Sequence, residues 1–498
     1  MNFKSTKKKI LINTKRWVIQ GGVGVPLMFI IPAEAITKIM HRRFPILQAK
    51  KIIIASFNGG NRAYWIFDED ELTKLGEWCL GHVDFVNKIY FQWEKDKRRY
   101  YKNLDHLAHR GIKNLQRDFL NFYNLYLYEY SLPLITEYFS LAGDKLIKNL
   151  KSKYGFLSKI DEDIILFASP PKLAFLQMAE LGLLDLYLKL KGRLPKTLEI
   201  FKKKQPAAYQ KLIKIQKEYY WMHFNYRDTK PLSLGKFYSQ LRMLDSENYQ
   251  KINNRHIYLK NYEKDLRRRQ HQAEQKTKLS KEEIKKLKRI GFAAHWQDER
   301  KVANLLGNYW CNRFISQVTK ISNLSVSEAQ HLIPQEFIAS IKGKKIVRAD
   351  LKKRISGMLY YVFADGQEGI LTGRQLAAIW KIINEMNLKS GVNELKGIAA
   401  SPGYYRGRVR KIETPGLQGK KLKKGEVLMT YMTRPDFVPL IRRAGAIVTD
   451  EGGLTSHAAI ISRELEIPCV VGTRFAMRLF KNGEMVEVDA NKGIIKRL

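Results

Sequence analysis

The residues with the most chemistry to offer lie near the carboxy terminus, in the run 449–473, TDEGGLTSHAAIISRELEIPCVVGT. Its pattern is strand, glycine turn, helix, loop, strand. Ala446-Ile447-Val448 ends a buried strand, and Gly452-Gly453 lets the backbone turn sharply and a bulky group come close. Thr455 or Ser456 can cap a helix running to about Leu465, which puts His457 in its first turn. An imidazole there faces the positive end of the helix dipole and backbone N–H groups that have no intrahelical partner. A protonated histidine gains nothing from that place. A neutral one that receives a phosphoryl group does, because the added anion is stabilised, and a ring nitrogen can act as a covalent nucleophile. Gly407, between Arg406 and Arg408, lies on a candidate first strand, and Arg463 follows His457 by one and a half turns. Taken alone, a single histidine near a helix start is more often a surface or capping residue, and the glycine pair and hydroxyls shift that balance only modestly.

Other clusters have plainer explanations. Residues 255–289 are rich in Lys and Arg, including Arg267-Arg268-Arg269 and Lys285-Lys286, with Tyr258 and Tyr262 interleaved. Phosphates of a nucleic acid could be met there. But Glu263, Asp265, Glu274, Glu282 and Glu283 are mixed in, which favours a solvated helix and no nucleic-acid partner. The aromatic stretch 219–226 reads as packing between helices rather than as a pocket. Asp161-Glu162-Asp163 reads as a helix N-terminus, where acids are favoured, rather than a cation site. Cys79, Cys311 and Cys469 form no CxxC and, with no His/Cys cluster, suggest neither a disulfide framework nor a transition-metal site. A reducing, cytoplasmic setting is expected.

These residues must be positioned by a chain of 498 residues, 45% hydrophobic and 11% aromatic, enough for a sizeable core and several domains. The net charge of +41 points to anionic partners without choosing among them. The apolar run 17–36 is interrupted by Gln20, three glycines, two prolines and Glu34, so short buried strands and turns are expected, and no membrane span. Strands are predicted at 51–57 and 63–67. Helices are predicted at 85–107, 114–140, 171–190, 207–223, 247–275 and 281–321, the last broken or bent near Gly291. Residues 357–373 read as a β-hairpin turning at Asp365-Gly366, followed by a helix at 375–386 and a linker at 388–391. After Asn393 short strands alternate with short helices. The expected organisation is a small mixed segment (1–69), a helical region (70–342), a hairpin and helix leading to a linker (343–392), and an α/β domain (393–498). The fold class is α+β multidomain, largely α-helical before that last domain.

The carboxy-terminal segment closely resembles the phosphohistidine, or swivelling, domain of phosphoenolpyruvate-utilising enzymes: phosphoenolpyruvate synthase, pyruvate phosphate dikinase and rifampicin phosphotransferase. The likeness runs from Gly397-Ile398-Ala399-Ala400-Ser401-Pro402-Gly403 through Gly407-Arg408-Val409, Gly425-Glu426-Val427-Leu428 and Thr433-Arg434-Pro435-Asp436. It culminates in Gly452-Gly453-Leu454-Thr455-Ser456-His457 and ends with Ile467-Pro468, Val470-Val471-Gly472-Thr473, Gly483 and Val488-Asp489. The resemblance implies a β/β/α domain in which His457 is phosphorylated, with Gly452, Gly453, Thr455, Ser456 and Arg408 as motif or phosphate-stabilising residues. It also implies that Thr455 occupies a position that is a regulatory phosphorylation site in some relatives. A weaker likeness, from Trp296-Gln297-Asp298-Glu299-Arg300-Lys301 to Leu332-Ile333-Pro334-Gln335-Glu336-Phe337, extends to the helical segment that precedes this domain. Full enzymes of the group carry an ATP-grasp domain, and several a phosphoenolpyruvate-binding barrel. No Gly-rich loop followed by Lys and no repeated βα pattern marks either one here. The resemblance therefore implies phosphoryl transfer through His457, with Mg and ATP or phosphoenolpyruvate as cofactors that a partner binds. The alternatives are a non-catalytic phosphocarrier or regulator acting with a separate ATP-grasp protein, and a nucleic-acid-associated basic protein.

Overall fold

A computed structural model describes residues 2–155, 158–191, 194–387, 393–413, 415–433, 437–453 and 456–498. The chain is α+β and divides into two compact units, one of Met1–Leu150 with Cys311–Leu498 and the other Lys151–Trp310.

The first unit contains two sheets. Strands β1 (Trp17–Gly22), β2 (Lys51–Phe57), β3 (Arg62–Asp68), β4 (Gly357–Phe363) and β5 (Glu368–Thr372) form one, in the order β1-β3-β2-β4-β5. Every neighbouring pair is antiparallel. The near-continuous apolar runs of β2 and β3 suit a sheet covered on both faces. Strand β2 pairs with β4 from Lys51↔Phe363 to Phe57↔Gly357, so segments about three hundred residues apart share one core. Ile53, Ile66 and Leu359 pack there with Leu376, Ile379 and Ile383 of the Gly373–Asn387 helix.

Within 17–36 only the first part is a strand. Pro26–Glu34 is a helix, buried along its whole length, that starts on Pro26 and tolerates Pro32 inside it. Proline at the first helical position costs nothing, since its missing N–H would have no partner there. Glu34, fully buried at its end, accepts from Tyr123 Oη (2.5 Å), Lys38 Nζ (2.5 Å) and Gln335 Nε2 (2.7 Å), which satisfies a charge that would otherwise be costly to bury. The predicted helix 114–140 is two helices, Leu115–Ser131 and Ile135–Tyr154, separated around Pro133.

The second sheet has the order β6-β13-β12-β8-β9-β10-β11-β7. Its strands are β6 (Glu394–Lys396), β7 (Ile398–Ser401), β8 (Tyr404–Lys411), β9 (Val427–Thr430), β10 (Ala446–Thr449), β11 (Cys469–Val471), β12 (Met485–Asp489) and β13 (Ile494–Arg497). Strands β8 to β11 run parallel to one another, and the flanking pairs are antiparallel. One face packs Leu428, Ile447 and Val471 against Ala458 and Ala459 of the helix His457–Glu464. The opposite face packs Val427, Val448 and Val486 against Ala476 and Met477.

The second unit is helical among its described residues. Its core gathers Leu183, Phe201, Leu212, Trp221, Phe224 and Phe237. The aromatic stretch 219–226 contributes to that core: Phe224 stacks on Tyr309 at 5.5 Å, and Trp221 meets Phe175 at 5.0 Å. The helix Lys281–Ile321 is uninterrupted at Gly291, contrary to the break expected there. A Cβ at Gly291 would stand 2.4 Å from the Ser169 carbonyl oxygen, so the glycine serves close approach to another backbone. Asp161 pairs with Lys151, and Asp163 with Lys159. Along the basic stretch, Arg255 pairs with Glu180 and Glu247, Arg268 with Asp265, and Lys288 with Glu274.

Candidate phosphohistidine site

Strand β10 delivers the chain to Thr449, whose Oγ1 donates to the Glu451 carbonyl at 2.7 Å and closes the turn that follows. Gly452 sits at φ +111°, and a Cβ on it would lie 2.8 Å from Ser456 Oγ, so this position requires glycine twice over. Ser456 then caps the helix, its backbone extended and its Oγ accepting from Ala459 N. Of the two capping choices open in the sequence, the structure uses Ser456; Thr455 lies outside the described residues. Ala458, Ala459 and Ser462 form the buried face of His457–Glu464, and these small side chains let the helix lie close on β7, β10 and β11.

His457 is the first helical residue and is half-buried. Its Nδ1 lies 2.9 Å from Thr433 Oγ1, in the loop after β9. Nδ1 is thereby engaged, and because a hydroxyl can both donate and accept, the direction of this bond follows the tautomer of the ring. When Nδ1–H donates to the hydroxyl, Nε2 holds the in-plane lone pair and is the nucleophilic atom. Thr433 stands in the sequence motif, but nothing in its spacing, 24 residues before the histidine, announced this contact.

The remaining motif residues part company. Gly452, Ser456 and His457 are brought together by one turn. Gly453 lies on the same loop, where a Cβ would come 4.0 Å from Asp144 Oδ1 of the Ile135–Tyr154 helix. Arg408 is not brought to the histidine. It lies on β8, separated by β9 from the strands that carry the His457 helix, and its Nη1 donates to the Gly483 carbonyl at 3.1 Å. Arg406 pairs with Glu487 at 2.7 Å, and Arg463 Nη1 donates to the Ala400 carbonyl at 3.0 Å.

Carboxylates surround the loop. Asp450 is buried, and burial pushes its carboxyl up to about 6 although Thr473 Oγ1 (2.8 Å), the Met477 amide (3.2 Å to Oδ2) and Arg478 favour the charged form. Glu451 Oε1 accepts from the Gly21 amide at 2.6 Å. Burial likewise pushes Asp144 up to about 6, opposed by Arg474 and reinforced by Glu69. The three cysteines are buried, and burial raises each thiol, Cys469 to about 12, which leaves them protonated and inert. Among the described residues no group of three or more His, Cys, Asp or Glu is placed to hold a metal ion, and no helix is long and apolar enough to cross a membrane.

A histidine capped into the first turn of a helix, behind a glycine turn on a mixed sheet, defines a class of mobile domain. Residues 422–493 match the family described as PEP-utilising enzyme, mobile domain, and the carboxy-terminal domain of this chain belongs to it. The phosphoenolpyruvate synthase of Pyrococcus furiosus is 55% identical over 101 residues, 20% of this chain and 12% of that protein. A probable phosphoenolpyruvate synthase of Methanothermobacter thermautotrophicus is 43% identical over 136 residues, 27% of this chain and 20% of its own. An uncharacterised phosphotransferase of Bacillus subtilis is 36% identical over 150 residues, 30% and 18% of the two chains. The chain thus spans a fifth or less of the length of these relatives.

Proposed function

We propose that this chain carries a phosphoryl group on His457 Nε2, as a phosphotransferase or one component of it. The observation that carries the proposal is the 2.9 Å contact between Thr433 Oγ1 and His457 Nδ1 at the start of a capped helix in a mobile domain of this family. In the forward step the Nε2 lone pair forms an N–P bond as a P–O bond of the donor breaks, and the electron pair leaves on the donor oxygen. The Thr433 hydroxyl accepts a hydrogen bond from Nδ1–H throughout and so stabilises the charge that develops on the ring. In the return step an acceptor oxygen takes the phosphoryl group and the neutral imidazole is restored.

The donor is ATP, presented with Mg by an ATP-grasp partner, or phosphoenolpyruvate, and the setting is cytoplasmic. The likeness to phosphoenolpyruvate synthases supports this choice of donors. Thr455 is a candidate for regulatory phosphorylation by the same likeness. Incubation with labelled ATP or phosphoenolpyruvate, with and without a candidate ATP-grasp protein, tests the proposal. An acid-labile, base-stable label on His457, lost in His457→Ala, is the expected result. Label that persists in His457→Ala overturns the assignment. Absence of label with either donor, partner included, favours the non-catalytic module.

A further inference from the structure

The helix Val83–Arg110, 28 residues long, buries Val86, Ile89, Trp93 and Tyr100 on one side and turns a basic face to water on the other. At 3.6 residues per turn, Lys88, Phe91, Lys95, Arg98, Arg99 and Lys102 fall within a stripe of about 120°. All six are exposed, and Phe91, in the midst of the cations, is 65% exposed. The two acids in this stretch are turned aside. Asp96 is buried and pairs with Arg43 at 2.7 Å. Glu94 pairs with Lys97, which lies over the buried Trp93 ring at 4.3 Å. Five cations along about 21 Å of helix therefore face solvent with no acid between them.

Apolar groups are exposed beside this stripe. Phe44, Phe91 and Gln92 line a shallow groove of about 450 Å³ together with Lys88 and Lys95, and Asp84 is the one acid there. Phe44 is braced edge-on against Phe85 at 5.7 Å, and Phe85 against Trp78 at 5.1 Å, so the groove wall is a supported aromatic ledge. Pro45 and Ile46 continue from Phe44 at the surface, Ile46 52% exposed, and Arg42 shortly before them is exposed as well. In water these apolar groups gain nothing from exposure. Among lipid headgroups their area leaves water while the surrounding cations meet anionic charge. A nucleic-acid backbone would satisfy the cations and leave Pro45 and Ile46 wet.

We propose that this face is a peripheral membrane-binding surface that seats on a bilayer containing anionic lipid. Phe91, Pro45 and Ile46 enter the headgroup layer, and Lys88, Lys95, Arg98, Arg99 and Lys102 meet the lipid phosphates and carboxylates. Each basic side chain near such a surface favours binding by about fivefold, so the five together distinguish an anionic bilayer from a neutral one. The seating is on the surface, since no described helix is long and apolar enough to cross a membrane. Nothing in this reading depends on phosphoryl transfer.

Co-sedimentation of the full chain at physiological salt with vesicles of phosphatidylcholine, alone and mixed with phosphatidylserine, tests the proposal. The mixed vesicles should retain the protein and the neutral ones should not. Lys88→Glu with Lys95→Glu should weaken retention by more than about tenfold, because two attractive charges become repulsive. Phe91→Ser keeps every charge and should weaken it by about fivefold, as lost apolar insertion does. These side chains are exposed, so the melting midpoint should stay at the wild-type value in both variants. Lys260→Glu with Lys264→Glu makes the same change of charge on the exposed face of the helix Tyr249–Glu274 and should stay within about twofold of wild type. An equal loss in that variant would mean attraction by the overall charge of +41 and overturns the assignment to this face. Retention that ignores Phe91→Ser, or no retention on the mixed vesicles, overturns the membrane seating. A short DNA duplex is the counter-probe: if it binds through Lys88 and Lys95 while the vesicles do not, the face serves nucleic acid and the proposal fails.

Discussion

Replacing Thr433 tests the site at its most specific contact. Thr433→Val keeps the shape of the side chain and removes the hydroxyl 2.9 Å from His457 Nδ1. In the ground state that bond is worth about 1 kcal/mol net, as neutral hydrogen bonds are. As Nε2 takes the phosphoryl group the ring becomes cationic, Nδ1–H becomes a stronger donor, and the bond roughly doubles in strength. Thr433→Val loses the bond in both states, so the barrier rises by the difference of about 1 kcal/mol, which slows phosphoryl uptake by about fivefold. Thr433→Ser, which keeps the hydroxyl, should stay within about threefold of wild type, a shift of less than 1 kcal/mol. The assay is the initial rate of His457 labelling, with the site of attachment on the ring assigned by heteronuclear NMR. Wild type and Thr433→Ser should carry the phosphoryl group on Nε2, and Thr433→Val should label slowly and with mixed attachment. A Thr433→Val protein that labels at the wild-type rate, on Nε2 alone, would show that the hydroxyl neither orients the ring nor selects its tautomer.

Three further outcomes follow from the same structure. Gly452→Ala forces a Cβ to within 2.8 Å of the Ser456 side chain at φ +111°, so it should displace the cap and lower labelling by more than tenfold, a loss above about 1.4 kcal/mol; labelling at the wild-type rate would mean the turn has another solution. Asp450, raised to about 6 by burial, binds its proton more tightly folded than unfolded, so its contribution to stability falls as pH rises from about 4 to 6 and is fully lost above that. Asp450→Asn should therefore gain on wild type by roughly 2 kcal/mol between pH 4 and 7 in paired denaturant titrations, and a constant difference across that range would contradict the burial. Gly291→Ala pushes a methyl group to 2.4 Å from the Ser169 carbonyl and should destabilise the protein by about 2 kcal/mol or more, read as a lower denaturation midpoint; an unchanged midpoint would mean that the contact relaxes freely.

What the chain settles by itself is local. The glycine turn, the hydroxyl at Ser456 and the first-turn position of His457 lie within six residues, and capping is a property of neighbouring residues. The same holds for the hairpin at Asp365-Gly366 and for the strands 51–57 and 63–67, whose composition and turn signals are read without knowing what they pack against. Only the tertiary structure joins β2 to β4, seats Thr433 on His457 Nδ1 and sends Arg408 to Gly483 instead of to the histidine. It also turns Gly291 from an apparent helix breaker into a point of backbone contact, and 26–34 from expected strands into a buried helix. Each of these depends on which distant segment closes against the residue. Periodicity and capping are encoded over one or two turns, whereas strand order and the partner of a given side chain are fixed only when remote segments meet and bury their apolar faces together.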